Sequence, residues 1–159
     1  MSLFRVLAAA MMIAAPLGAL HAEPVIERAS AGAYPISSVV VVKGVGGVDI
    51  AYASGVPGDG KLVGTEAQTA DSLTKLLANL KAHGFEPGDI VMMRVFLVGD
   101  PAMGGKMDFA GMMTSFKKVF GTAEQPNKPS RTTVQVAALG TPTTLVEIEA
   151  QAVKVSTKP

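Results

Sequence analysis

The sequence predicts an α+β domain in which two helices cover one face of a mostly antiparallel sheet. Short stretches alternate apolar and polar residues with the period of two that marks a half-buried strand. Two longer stretches repeat apolar residues at helical spacing. Their order along the chain reads β-β-α-β-α-β-β, with no internal repeat and no linker long enough to divide the domain. Helices on one side leave the opposite sheet face to water or to other subunits.

Val39 to Val42 is a β-branched strand, and Val48 to Ser54 returns as its partner across the glycine-rich turn Lys43 to Gly47. That turn lacks the strand-to-helix context of a phosphate cradle, so it reads as a hairpin. Gly55 to Gly64, with Pro57, is expected to be loop. Thr65 then opens a helix as N-cap, with Gln68 completing a capping box. Ala70, Leu73, Leu77 and Leu80 form its buried stripe, and Gly84 stops it just after His83.

Phe85 to Gly88 forms a turn, Ile90 to Val98 a strand rich in β-branched and large apolar residues, and Asp100 to Gly105 a loop. A second helix begins near Asp108 and ends at Gly121. Phe109, Met112, Met113, Phe116, Val119 and Phe120 make its apolar stripe, the methionines reading as core filler. Thr122 to Ser130, carrying Pro126 and Pro129, is a loop that delivers Arg131.

The last two strands hold the polar residues of interest. Along Arg131–Val136, the residues Arg131, Thr133 and Gln135 share one face, and Thr132, Val134 and Val136 take the other. Along Leu145–Ala152, Glu147, Glu149 and Gln151 lie in front of Val146, Ile148, Ala150 and Ala152. The expectation is one apolar core face and one face carrying a guanidinium, a hydroxyl and carboxylates together. A fixed arginine suits bidentate capture of a small carboxylate. Alternation alone fits either a solvated sheet face or a binding site.

Composition narrows the chemistry. Residues 1–22 read as a secretory signal, with Arg5 as the positive start, an apolar run from Val6 to Leu20 and a cleavage site at Ala22. The alternative is a membrane anchor, but the run is short for a span of about 20 residues and is broken by Pro16 and Gly18. Cleavage would leave residues 23–159 as a single domain, periplasmic or secreted and with no membrane attachment after processing. Net charge over the whole chain is +1, which gives nucleic acid no electrostatic footprint. Cysteine is absent, and His83 is the only histidine beyond the leader. That excludes Ser-His-Asp and Cys-His machinery and any histidine- or thiolate-rich zinc site.

The run Pro129, Ser130, Arg131, Thr132 and Val134, then Leu139, then Val146, Glu147, Ile148, Glu149 and Ala150 resembles the C-terminal signature of the RidA family, also called YjgF. Upstream, Ser54-Gly55, Thr65 and Gln68, Gly84, and Gly88-Asp89-Ile90-Val91 match in order, so the resemblance covers about Val39 to Val153. It implies a RidA/chorismate-mutase-like fold closing into a barrel-like homotrimer with clefts at the subunit boundaries. It also implies hydrolysis of reactive 2-imino or enamine acids to 2-oxo acids and ammonia, with no metal or cofactor required.

Position by position, Arg131 matches the arginine that pairs with the substrate carboxylate, and Glu147 the acid that positions or activates water. Gly55 matches a glycine lining the cleft through its backbone. Thr133 falls where many members carry cysteine, so thiol chemistry does not transfer. Tyr34 is the candidate for a family tyrosine before the sheet, although its distance from Ser54-Gly55 is longer than usual; it lines the site or packs at the barrel rim. Tyr52 reads as facing the interior or the helices. A different class of function uses the same arginine: a non-catalytic trimer that binds small carboxylate metabolites or shields unfolded protein.

Overall fold

Alternation along the strands sets which side of the sheet is dry. In the computed structural model, which describes Glu23, residues 25–33 and residues 35–156, Val39, Val41, Ala51 and Ala53 are buried while Tyr52 between them is exposed. The six strands are β1 (Val25–Ser30), β2 (Ser37–Val45), β3 (Val48–Pro57), β4 (Ile90–Val98), β5 (Ser130–Val136) and β6 (Val146–Val155). They line up as β1-β2-β3-β6-β4-β5. Every neighbouring pair is antiparallel except β4 and β5, which run parallel. The helices α1 (Gly64–Ala82) and α2 (Phe109–Phe116) pack on one face. The expected α+β architecture is present.

The core lies between that face and the helices. Leu73, Leu76 and Leu80 of α1 and Met112 and Phe116 of α2 meet Met93, Val95, Leu97, Val146, Ile148 and Ala150. Burying side chains of this size is worth roughly 1.5–3 kcal/mol each, so this layer supplies the main stabilisation. The stripe on α1 is turned from the expected one: Leu76 is buried, Leu77 only flanks the core and Ala70 is exposed.

Several local expectations are corrected. β1 was not anticipated; its residues are mostly exposed, so it has no apolar face to read. β3 runs on to Pro57, into the stretch expected to be loop. The Thr65–Gln68 capping box does not form, because both side chains are buried and engaged elsewhere. Val63 occupies the N-cap, and Thr65 Oγ1 donates to Asp100 Oδ2 at 3.3 Å. Gln68 donates to the carbonyls of Leu62 and Thr143 and accepts from the Leu145 N–H, fastening two loops together.

The cap at Asp108 is as expected, its carboxylate accepting from the Gly111 N–H at 2.8 Å. The regular helix stops at Phe116, and the apolar stripe continues to Phe120 through turns. The hairpin at Lys43 to Gly47 is tight, with Gly44, Gly46 and Gly47 all at positive φ. Residues 1–22 and Tyr34 lie outside the described residues. Among the described residues, no helix is long and apolar enough to cross a membrane.

Candidate functional site

The loop before β5 is pinned by its own polar groups. The N–H groups of Gly121 and Thr122 donate to the Gln125 carbonyl, and the Gln125 amide bridges both backbone groups of Asn127. This sets Ser130 opposite Met92 and Arg131 opposite Met93 on the parallel partner β4. Met93 is wholly buried under the helices, so Arg131, in register with it, turns to the helix side as well.

There the guanidinium lies over the Phe116 ring at 4.4 Å and 5.6 Å from the Phe109 centroid. A cation over an aromatic face is held electrostatically by the ring quadrupole. Nη1 also points at the thioether of Met113, 3.1 Å away, with Met112 Sδ at 3.8 Å. Among the described residues no carboxylate forms an ion pair with Arg131. Burial pulls its pKa below the ordinary arginine value, yet an arginine stays charged in proteins. The result is a stacked, half-buried cation without a counter-ion.

Thr133, two residues on, is level with Val95 on the same side. Its Oγ1 is buried and has no hydrogen-bond partner among the described residues. Most buried polar atoms are paired, so such an orphan calls for an explanation. Gln135, next on this face, is engaged in structure. It accepts from the Met107 N–H at 2.9 Å and donates to the Gly105 carbonyl at 3.1 Å, clamping the loop before α2 to β5.

Glu147 sits on the other side of the sheet. Its neighbours Val146 and Ile148 are fully buried towards the helices, so the side chain between them takes the open face. Across β3, the register slips between Ala53 and Val56, leaving Ser54 and Gly55 together opposite Glu149. This bulge brings Gly55 against the Glu147 carboxyl group. A Cβ on Gly55 would lie 2.9 Å from Glu147 Cδ and 3.1 Å from Cγ. Burial raises the Glu147 pKa, and the nearby Glu149 charge adds to the rise. Glu149 is itself tied to Arg94 Nη1 at 2.5 Å.

The single polar face expected for Arg131, Thr133, Gln135, Glu147 and Glu149 is therefore corrected. β5 and β6 are not neighbours; β4 lies between them, and its register puts Arg131 level with Met93 and Ala150, all on the helix side. Within one chain the structure joins Arg131 with Thr133, and Gly55 with Glu147, and separates the two pairs. Tyr52 is also corrected. It is 45 % exposed on the open face, opposite Gln151.

Tyr34 lies outside the described residues. Phe109 and Phe116, expected only as core, are the aromatic walls against Arg131. The signal available for them was their spacing along α2, which places both on the face that meets β5. Among the described residues, no group of three or more histidine, aspartate or glutamate side chains is placed to hold a metal ion.

A family model described as Endoribonuclease L-PSP matches residues 26–154. The fold is similar to a YjgF/YER057c/UK114 family protein of Mycobacterium tuberculosis, at 27 % identity and a TM-score of 0.62, over 80 % of this chain and 98 % of that one. It is similar to a YjgF-family protein of Neisseria meningitidis at 26 % identity and a TM-score of 0.60, over 84 % and 97 %. It also resembles a Thermotoga maritima protein provisionally named an endoribonuclease, at 32 % identity and a TM-score of 0.60, over 81 % and 95 %. Among curated proteins, none matches the chain.

Proposed function

The chain belongs to the Endoribonuclease L-PSP family, also called YjgF or RidA, and on that footing we propose that it is an exported homotrimer that hydrolyses reactive 2-imino or enamine acids to 2-oxo acids and ammonia. The observation that carries this reading is Arg131, a cation held against aromatic faces with no carboxylate paired to it among the described residues. Such a guanidinium is pre-organised for a bidentate carboxylate ligand.

The segregation of Arg131 and Glu147 to opposite faces supports a site shared between subunits. Tyr52 and Val134 are exposed beside the charged Arg94 and Glu149 on the open face, a mixture suited to burial against a second copy. In the trimer, Arg131 and Thr133 of one subunit face Gly55 and Glu147 of the next across a cleft.

The reaction then needs little from the protein. Arg131 holds the substrate carboxylate, and an enamine first takes a proton at carbon to become the iminium. Glu147 accepts a proton from water as the water oxygen bonds to the iminium carbon. The resulting carbinolamine takes that proton back on nitrogen, its hydroxyl then gives a proton to the freed Glu147 carboxylate as the C–N bond breaks, and ammonia leaves as the carbonyl forms. The raised Glu147 pKa brings this group towards the range in which a carboxylate can both take and return a proton. No metal or cofactor enters these steps.

A non-catalytic trimer that binds small carboxylates, or shields unfolded protein, would use the same arginine. Glu147 favours turnover, because a carboxylate beside a bound anion weakens simple binding. The near-neutral charge of the chain gives RNA no electrostatic footprint.

The test is ammonia release from 2-imino acids generated in situ from several amino acids. Acceleration over buffer that falls about 30- to 1000-fold in Arg131→Ala is expected for loss of one partner of a desolvated charge pair. Wild-type protein no faster than buffer across apolar and polar imino acids would sink the assignment.

A further inference from the structure

Arg131 rests against sulfur as well as aromatic carbon, and the two sulfurs differ in access. Met112 is wholly buried, whereas Met113 flanks the core half-buried, with its Sδ 3.1 Å from Arg131 Nη1. A thioether is a weak acceptor, so an N–H aimed at it stays available to a stronger one. The chain contains no cysteine, which leaves thioethers as the sulfur that an oxidant meets.

We propose that Met113 is an oxidant-sensitive modification site whose sulfoxide ties up the Arg131 guanidinium and closes the site to carboxylates. The oxidant is a peroxide. A lone pair on Sδ attacks one peroxide oxygen, the O–O bond breaks, the S–O bond forms, and hydrogen peroxide is reduced to water. The thioether is oxidised to the sulfoxide, a polar group that reductases can return to methionine. The new oxygen is bonded to the atom already facing Nη1. It accepts that N–H strongly and removes one donor from the fork a carboxylate needs. Modification at Met103, half-exposed in the loop before α2, serves as the internal control, because the thioethers that face Arg131 Nη1 are those of Met112 and Met113.

The proposal rests on Arg131 being the carboxylate receptor, and its test keeps the two ideas apart. The full mature chain is treated with hydrogen peroxide, and peptide mass spectrometry follows each methionine. NMR of the Arg131 Nε–Hε resonance reads the guanidinium directly, and titration with 2-oxobutanoate reads carboxylate affinity. Met113 is expected to oxidise before Met93 and Met112, with the Arg131 resonance shifting in step. Affinity is expected to fall about tenfold, the loss of one charge-assisted hydrogen bond, and to return after sulfoxide reductase treatment. Met113→Leu is expected to keep its own untreated resonance and affinity under the same oxidation while Met103 still oxidises. An unmoved Arg131 resonance at full Met113 sulfoxidation, or an equal loss in Met113→Leu, would overturn the proposal. If the reduced protein fails to bind 2-oxobutanoate, the carboxylate reading falls, and the resonance alone decides the Met113 pairing.

Discussion

The Glu147 carboxyl group packs directly against Gly55 across the β3–β6 ladder, so closely that a methyl group at position 55 would lie 2.9 Å from the carboxyl carbon. The bulge at Ser54 and Gly55 creates the approach, and the missing side chain permits it. Gly55 is thus explained by the acid it accommodates.

Gly55→Ala is accordingly expected to displace Glu147 more than it disturbs the fold, because the atoms met are the far end of a flexible side chain. Circular dichroism should show a native spectrum and thermal unfolding a small change. Imine hydrolysis should fall by about tenfold or more, as small displacements of a reacting group do. Unchanged turnover would separate Glu147 from the chemistry.

The acid limb of the pH–rate profile should lie above the ordinary glutamate value of about 4.3, because burial and the Glu149 charge both raise the Glu147 pKa. Glu149→Gln removes the like charge and frees Arg94, its present partner, so the limb should move to lower pH. Stability follows from the same shift. The folded state holds the Glu147 proton more tightly than the unfolded chain does, so stability is lost as pH rises through the shifted pKa. Glu147→Gln should therefore raise the Tm at neutral pH, and the gain should vanish below the unfolded carboxylate value. A Glu147→Gln Tm below wild type at pH 7 would contradict this.

Much of the fold was legible because its signals were local. The hairpin at Lys43 to Gly47, the Asp108 cap and the alternation along β2, β3 and β6 all appear where their residues require. The sidedness of β5 was not legible. Alternation tells that Arg131, Thr133 and Gln135 share a face, but which face meets the helices depends on the pairing with β4. Polarity suggested the outer face. Arginine instead lays its stem along apolar surface and stacks its head on Phe116, while Val134 is left 40 % exposed. β1 was missed for a related reason: Val25 and Ile26 are both exposed, so no period marks them. The cap expected at Thr65 lost to a buried bond with Asp100, a partner far along the chain.

Thr133 offers a second measurement. Its buried hydroxyl lacks a partner among the described residues, and such a group costs about 1–3 kcal/mol when left unsatisfied. Thr133→Val keeps the shape and removes the orphan, so unfolding should become harder by about 1 kcal/mol. If the hydroxyl serves the ligand or its water, the same variant should lose turnover, and Thr133→Ser should keep it. A destabilised Thr133→Val would mean that the hydroxyl is satisfied in solution by structure.

The separation of Arg131 and Glu147 to opposite faces of one sheet gives the most decisive prediction. If each site takes its arginine from one subunit and its acid from the next, Arg131→Ala and Glu147→Gln are each inactive alone for different reasons. In a trimer assembled at random from equal amounts of the two variants, a boundary that pairs an intact Arg131 with an intact Glu147 arises about one time in four. Co-expression with two affinity tags should give mixed trimers, each with one intact boundary of its three, that recover roughly a third of wild-type imine hydrolysis, with light scattering giving a trimer mass throughout. A site built within one chain recovers nothing on mixing, because every chain lacks one of the two groups. Activity in the mixed assembly no higher than in either parent, or a monomer mass at micromolar concentration, would remove the shared cleft and the mechanism placed in it.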